Sequence, residues 1–247
     1  MIDLHSHVLF AIDDGPPTLE GSLAICRAAA ADGITVLAAT PHVRDDHPTR
    51  PELMEERLAA VQDAAGDLIR LVPGGELDLA ELARPREELL RFALAGNPRY
   101  LLVETPYYGW PLGFADQVFR LATSGITAVV AHPERNGDVQ ARPELLEPLV
   151  AAGALVQLTA ASVDGRLGRR ARETSHTLLE RGLAHLLASD GHEATIRAIG
   201  MAGAAASLGD EALARWLTVG VPGAIVDGSE LPPRPPSEPR RRFGRRR

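Results

Sequence analysis

One phrase recurs along the chain: a helical stretch that ends at a glycine and runs at once into an apolar strand. Ala29-Ala30-Ala31-Asp32-Gly33-Ile34-Thr35-Val36-Leu37-Ala38 has this form, and so does Leu121-Ala122-Thr123-Ser124-Gly125-Ile126-Thr127-Ala128-Val129-Val130-Ala131. Variants follow at Val150-Ala151-Ala152-Gly153-Ala154-Leu155-Val156 and at Leu179-Glu180-Arg181-Gly182-Leu183-Ala184-His185-Leu186-Leu187-Ala188. A helix C-terminus favours a residue at ease with positive φ, and a parallel strand buried on both faces reads as continuous apolar sequence. Helices alternating with such strands imply βαβ units. Strands are expected near residues 2–5, 35–39, 69–73, 100–104, 127–131, 155–158 and 185–188. Helices are expected near 17–31, 51–66, 85–94, 113–124, 143–152, 169–182 and 195–207. Seven such units predict an α/β fold, a distorted (β/α)7 TIM-like barrel over residues 1–228; the alternative is a doubly wound open sheet. Residues 229–247 read as a flexible Pro/Arg-rich tail.

Composition narrows the function. All 26 basic residues are arginine, so neither a Walker phosphate loop nor a lysine Schiff base is available. The single cysteine, Cys26, excludes a disulfide framework, and its position +6 is Asp32, not the Arg that a cysteine phosphatase needs. Asp3 and Asp13-Asp14 lack the Asp-x-Asp pattern of aspartyl-phosphate enzymes. No stretch reads as a membrane span and the start does not read as a signal peptide, so a cytoplasmic protein is expected. Residues 234–247 carry +6, and against a total of −7 this leaves −13 on the remainder. So acidic a body is a poor nucleic-acid surface but suits a site that collects divalent cations.

The polar residues that follow the expected strands are of one chemical kind. The first strand leads into His5, His7, Asp13 and Asp14, and the second into Thr40-Pro41-His42. Glu76 follows the third, Glu104 ends the fourth, and His132-Pro133-Glu134-Arg135 follows the fifth. The sixth gives Thr159 and the seventh Ser189-Asp190-Gly191-His192. In an α/β barrel all these positions gather at the C-terminal rim, where active sites are built. Buried carboxylates there are costly unless they bind cations, so the pattern predicts a metal cluster.

These segments resemble the polymerase and histidinol phosphatase (PHP) family. The Asp13-Asp14-Gly15-Pro16 and His132-Pro133-Glu134-Arg135 segments are most similar to the bacterial protein-tyrosine phosphatases of capsule and exopolysaccharide clusters. The resemblance implies a PHP-type barrel with two to three divalent ions, manganese first, with iron, zinc or cobalt as alternatives. One ion takes His5, His7, Glu76 and Asp190. A second shares Glu76 and adds Glu104 and His132. A third takes Asp14, His42 and His192, with Asp13 as a supporting or capping residue. The implied activity is dephosphorylation of phosphotyrosine on a membrane-anchored bacterial tyrosine kinase. The alternatives are hydrolysis of a small ester such as histidinol phosphate or a nucleotide, and a weakly active module that binds a kinase.

In this reading Arg135 clamps the phosphoryl oxygens, Arg197 is a second candidate, and His42 and His192 take part in catalysis. Tyr108 and Trp110, in an aromatic loop that follows Glu104, are expected to wall the substrate ring. The Arg-rich end, from Arg234 to Arg247, is expected to dock on an anionic membrane or on the kinase's own tail.

Overall fold

The structure, a computed structural model, describes residues 1–193 and 198–236 of the chain. It is a mixed α/β fold in which strand after strand enters a parallel sheet and returns through helix. The strands are β1 (Ile2–Asp3), β2 (Val36–Ala39), β3 (His42–Arg44), β4 (His47–Pro48), β5 (Arg70–Pro73), β6 (Glu76–Leu77), β7 (Tyr100–Glu104), β8 (Thr127–Ala131), β9 (Leu155–Thr159) and β10 (Leu186–Ala188). The longer helices are α1 (Leu19–Ala31), α2 (Pro51–Ala65), α3 (Phe114–Thr123) and α4 (Arg169–Glu180). Each expected strand position is occupied by one of β1, β2, β5, β7, β8, β9 and β10. No helix among the described residues is long and apolar enough to cross a membrane.

Two sheets form, in the orders β1-β2-β5 and β10-β9-β8-β7-β6-β3-β4. All their pairings are parallel except the short hairpin of β3 with β4. The sheets are linked because β2 and β3 are two legs of one bent strand, as are β5 and β6. The bends fall at Thr40-Pro41 and at Gly74-Gly75. Glycine is required at the second bend: a Cβ on Gly74 would lie 2.9 Å from the Thr40 side chain, and one on Gly75 2.8 Å from Phe92. At the other margin, Ser6 bridges to Gly191 in parallel register. The Asp190 amide donates to His5 O and the His7 amide to Gly191 O, both at 2.9 Å.

The central strands are apolar because both faces are covered. Every residue of β7 and β9 is buried, and so are Ala128, Val129, Val130 and Ala131 of β8. Full burial of each such Leu or Val contributes about 1.5–3 kcal/mol, and Leu102→Ala would forfeit about 2–5 kcal/mol. Helix α1 starts at Thr18, whose hydroxyl accepts from the Gly21 amide, and stops at Gly33, with φ of 84°. Helix α3 turns Phe114, Val118 and Leu121 onto the sheet and leaves Phe119 exposed. Beyond β10, turns of helix between Met201 and Asp227 close the base of the fold, in a stretch where only the helix to residue 207 is expected from sequence.

The first part of the expected tail lies against this base. The Trp216 indole donates to Pro232 O at 2.9 Å, and the Arg234 guanidinium donates to Ala184 O and Leu179 O at 2.8 Å each. The rest of the Arg-rich end lies outside the described residues.

Candidate metal centre

The C-terminal ends of the parallel strands converge on Glu76. Its carboxylate is fully buried, with Oε1 2.8 Å from His132 Nε2 and Oε2 2.9 Å from His42 Nδ1. The same Oε2 lies 3.4 Å from His5 Nε2 and 3.4 Å from His7 Nε2. Asp190 Oδ1 closes the group at 3.4 Å from His5 Nε2 and 3.3 Å from His7 Nε2. His5 and His7, separated by one residue on an extended chain, therefore point the same way, as the His-x-His spacing requires.

A second group sits closer to solvent. Asp14 Oδ1 is 3.0 Å from His192 Nε2, 3.5 Å from His42 Nε2 and 3.8 Å from His7 Nδ1. Asp14 is 37% exposed while its partners are buried, so the cluster opens on this side. A cleft of about 530 Å³, lined by Asp14, Pro16, Pro17, Ile25 and His192, lies beside it.

Four sets of donor atoms have spacing that a metal ion can use: His7, Asp14, His42 and His192; His5, His7 and Asp190; His5, Glu76 and His132; and His42, Glu76 and Glu104. All nine residues expected as ligands are thus gathered at one place. One detail differs from the expected grouping. Glu104 lies with His42, its Oε2 3.6 Å from His42 Nδ1, whereas His132 pairs with the opposite oxygen of Glu76. Arg197 lies outside the described residues.

The imidazoles are oriented from behind. Gln157 Oε1 lies 2.9 Å from His5 Nδ1, Asp13 Oδ2 2.7 Å from His7 Nδ1, and Asp190 O 2.9 Å from His192 Nδ1. Each contact fixes a proton on Nδ1 and leaves Nε2 for the centre, the usual outer support of a metal-binding histidine. Asp13 also accepts from the amides of Gly15 (2.9 Å) and His42 (3.0 Å), so it braces the site while Asp14 faces it. His132 and Asp190 both hold left-handed backbone, with φ of 33° and 51°. That costs energy for residues with a Cβ and is typical of functional positions.

The electrostatics call for positive charge. Burial alone would raise the Glu76 and Asp190 carboxyls, yet the surrounding imidazoles hold both well below the usual carboxylate range. Burial alone would likewise lower His42, but Glu104 and Glu76 outweigh it and push it up to about 9. Glu76 Oε2 is the clearest sign of fit. It is fully buried and close to three imidazole nitrogens, yet makes no hydrogen bond of ordinary geometry. An orphaned carboxylate oxygen ringed by imidazoles is the donor set that a divalent transition ion takes. Deeper still, the Asp3 carboxyl is raised to about 6 by burial and ties β1 to Ser189 through the Ser189 amide at 3.0 Å.

Arg135 reaches over the cluster, its Nη1 donating to Asp190 and its Nη2 to the Tyr107 hydroxyl at 2.6 Å. The guanidinium also lies over the Tyr107 ring, 5.0 Å from its centroid. Tyr107 is therefore the aromatic that touches the site. Tyr108 is 88% exposed, and Trp110 is partly buried, packing on Phe114 at 5.5 Å and on the core. Asn136 pins this loop by donating to Pro106 O at 2.6 Å and Gly109 O at 3.2 Å. Gln157 and Arg44, the latter with Nη1 3.2 Å from both Glu104 oxygens, carry no signal in the sequence that marks them. Only the fold brings them to the ligands.

Known proteins resemble this chain in sequence and fold. The tyrosine-protein phosphatase YwqE of Bacillus subtilis (strain 168) is 34% identical over 211 residues, which cover 80% of this chain and 79% of that protein. The tyrosine-protein phosphatase CpsB of Streptococcus agalactiae serotype III (strain NEM316) is 26% identical over 206 residues, 80% of this chain and 85% of that one. A solved structure described among the metal-dependent tyrosine phosphatases YwqE of Bacillus subtilis and CpsB of Streptococcus pneumoniae matches with a TM-score of 0.84. Its identity is 28%, over 96% of this chain and 100% of that chain. Residues 1–215 match the family described as capsular polysaccharide synthesis, CpsB/CapC, and the chain belongs to that family.

Proposed function

We propose that this protein is a metal-dependent protein-tyrosine phosphatase, and that its two sheets act as one distorted seven-stranded barrel of the PHP type. The observation that carries the reading is the cluster around Glu76: nine His, Asp and Glu donors in four overlapping sets beneath a held arginine. Relatives named as tyrosine phosphatases support it. The site holds two to three divalent ions, manganese before iron, zinc or cobalt. When bound, such ions polarise phosphoryl oxygens and lower the pKa of water.

The chain's own residues do the rest. Arg135, kept in place by Asp190 and Tyr107, presents its guanidinium to the phosphoryl oxygens and neutralises charge that grows in the transition state. His42 and His192, beside the half-exposed Asp14, stand at the open side, where a proton passes to or from the reacting oxygens. A tyrosine leaving group, with a pKa of about 10, needs less help from an acid than an alkyl alkoxide. The substrate is a phosphotyrosine protein, a membrane-anchored bacterial tyrosine kinase, met in the cytoplasm. The acidic body argues against nucleic acid, and the Arg-rich end provides contact with an anionic membrane or with the kinase's tail.

The test compares turnover of a phosphotyrosine peptide, histidinol phosphate and a nucleotide by the manganese-loaded protein. Preference for the peptide is expected. Preference for either small ester would replace the reading with a metabolic phosphatase, and no turnover of any would leave a binding module.

A further inference from the structure

We infer that Arg44 is a positioning residue for Glu104, and that it sets how tightly a metal ion is held by His42, Glu76 and Glu104; the inference rests on the metal-dependent reading above. His42 and Arg44 are alternate residues of β3, so both side chains leave the strand on the same side, toward the centre. Arg44 Nη1 lies 3.2 Å from Oε1 and 3.2 Å from Oε2 of Glu104, covering both oxygens of that carboxylate. The other edge of the guanidinium is steadied by Asp46, whose Oδ1 is 2.7 Å from Nε.

Glu104 is buried at the end of β7 and shares a donor set with His42 and Glu76. It is this residue whose grouping departs from the expected one, and Arg44 is what holds it on the His42 side. Without the guanidinium, the Glu104 carboxylate would meet the Glu76 carboxylate across a buried gap, and like charge would drive it to another rotamer.

Two effects of removing Arg44 oppose one another. Loss of a cation makes the site more negative and favours a divalent ion. Loss of the hydrogen bonds frees the ligand. The Arg44 charge is already offset in part by Asp46, so its removal changes the net charge near the site less than a lone cation would, whereas support of a ligand by an outer hydrogen bond is commonly worth about 10–100-fold in metal affinity. Positioning wins.

The experiment uses the full chain as wild type, Arg44→Ala, Arg44→Lys, Glu104→Gln and the double variant, each titrated with Mn²⁺ against a competing chelator, with bound ions counted by mass spectrometry. Arg44→Ala should weaken one position by about 10–100-fold and spare the others, with Arg44→Lys recovering part of the loss. Glu104→Gln should weaken the same position, and the double variant should lose no more than Glu104→Gln alone. Circular dichroism of the metal-free proteins checks the fold. If Arg44→Ala does not fold, Arg44→Met, which keeps the stem, replaces it. Equal or tighter binding by Arg44→Ala, strictly additive losses, or a raised KM for an aryl phosphate with metal binding untouched would each overturn the inference. A wild type that binds no Mn²⁺ would overturn the metal-dependent reading itself, before any variant is compared.

Discussion

Replacing Asp13 with alanine removes one carboxylate that accepts three hydrogen bonds: from His7 Nδ1 at 2.7 Å, from the Gly15 amide at 2.9 Å and from the His42 amide at 3.0 Å. No expected metal ligand is deleted. His7 is fully buried, so its Nδ1–H loses its acceptor where water cannot replace it. Hydrogen bonds to a charged group contribute about 1.5–3 kcal/mol each, and these three share one acceptor and are not additive. Breaking a buried charged pair from one side typically costs about 3–5 kcal/mol, which is the loss expected here. At about 2–4 °C per kcal/mol for a chain of this size, Tm of the metal-free protein should fall by about 10 °C. Thermal unfolding of chelator-treated wild type and Asp13→Ala measures this directly. Because the same contact holds His7 with Nε2 toward the centre, Mn²⁺ affinity should fall by about 10–100-fold in parallel. A variant with unchanged Tm and unchanged metal affinity would refute the view that Asp13 braces the site. Loss of metal binding with unchanged Tm would instead make Asp13 a ligand.

Three further outcomes are expected. Arg135→Ala should keep its metal content at saturating Mn²⁺, read by mass spectrometry, and lose about 2–4 kcal/mol of transition-state stabilisation, a drop in kcat/KM of about 10²–10³-fold on aryl phosphate. Trp110→Ala should lower the free energy of unfolding, read by urea titration, by about 2 kcal/mol while leaving KM for aryl phosphates near wild type, since the indole packs on Phe114 and the core. The third concerns His185, whose Nδ1 accepts from the Val156 amide at 3.2 Å. Burial, aided by Arg234, lowers its pKa from 6.5 to about 4. The unfolded chain therefore binds the extra proton first, so this contribution is full above pH about 6.5 and is lost as pH falls toward 4. Urea unfolding at pH 7.5 and pH 5 should show a loss in the wild type, about 2 kcal/mol from this residue, that His185→Gln does not share.

The seven main strands were legible because β7, β8 and β9 are covered on both faces and read as mostly apolar runs. The short legs β3, β4 and β6 were not legible. They lie past Thr40-Pro41 and Gly74-Gly75, punctuation that ordinarily ends a strand and here bends one, as the close approach of Thr40 and Phe92 to the two glycines explains. The ligand types could be read because each follows a strand end. Their grouping is set by tertiary contacts such as that of Arg44 Nη1 with Glu104, sixty residues away in the chain, which no local pattern records. The aromatic loop after Glu104 is legible as a cluster, but which of its rings meets Arg135 is not. Tyr107, Tyr108 and Trp110 are chemically alike as letters, and only the folded loop, pinned by Asn136, turns Tyr107 onto Arg135.

The central claim is that a cluster of divalent ions sits around Glu76. Anomalous diffraction from crystals of the full chain grown with Mn²⁺ tests it most directly. Two or three anomalous peaks are expected among His5, His7, Asp14, His42, Glu76, Glu104, His132, Asp190 and His192. A map with no peak at Glu76, from protein that hydrolyses phosphotyrosine at full rate, would contradict it.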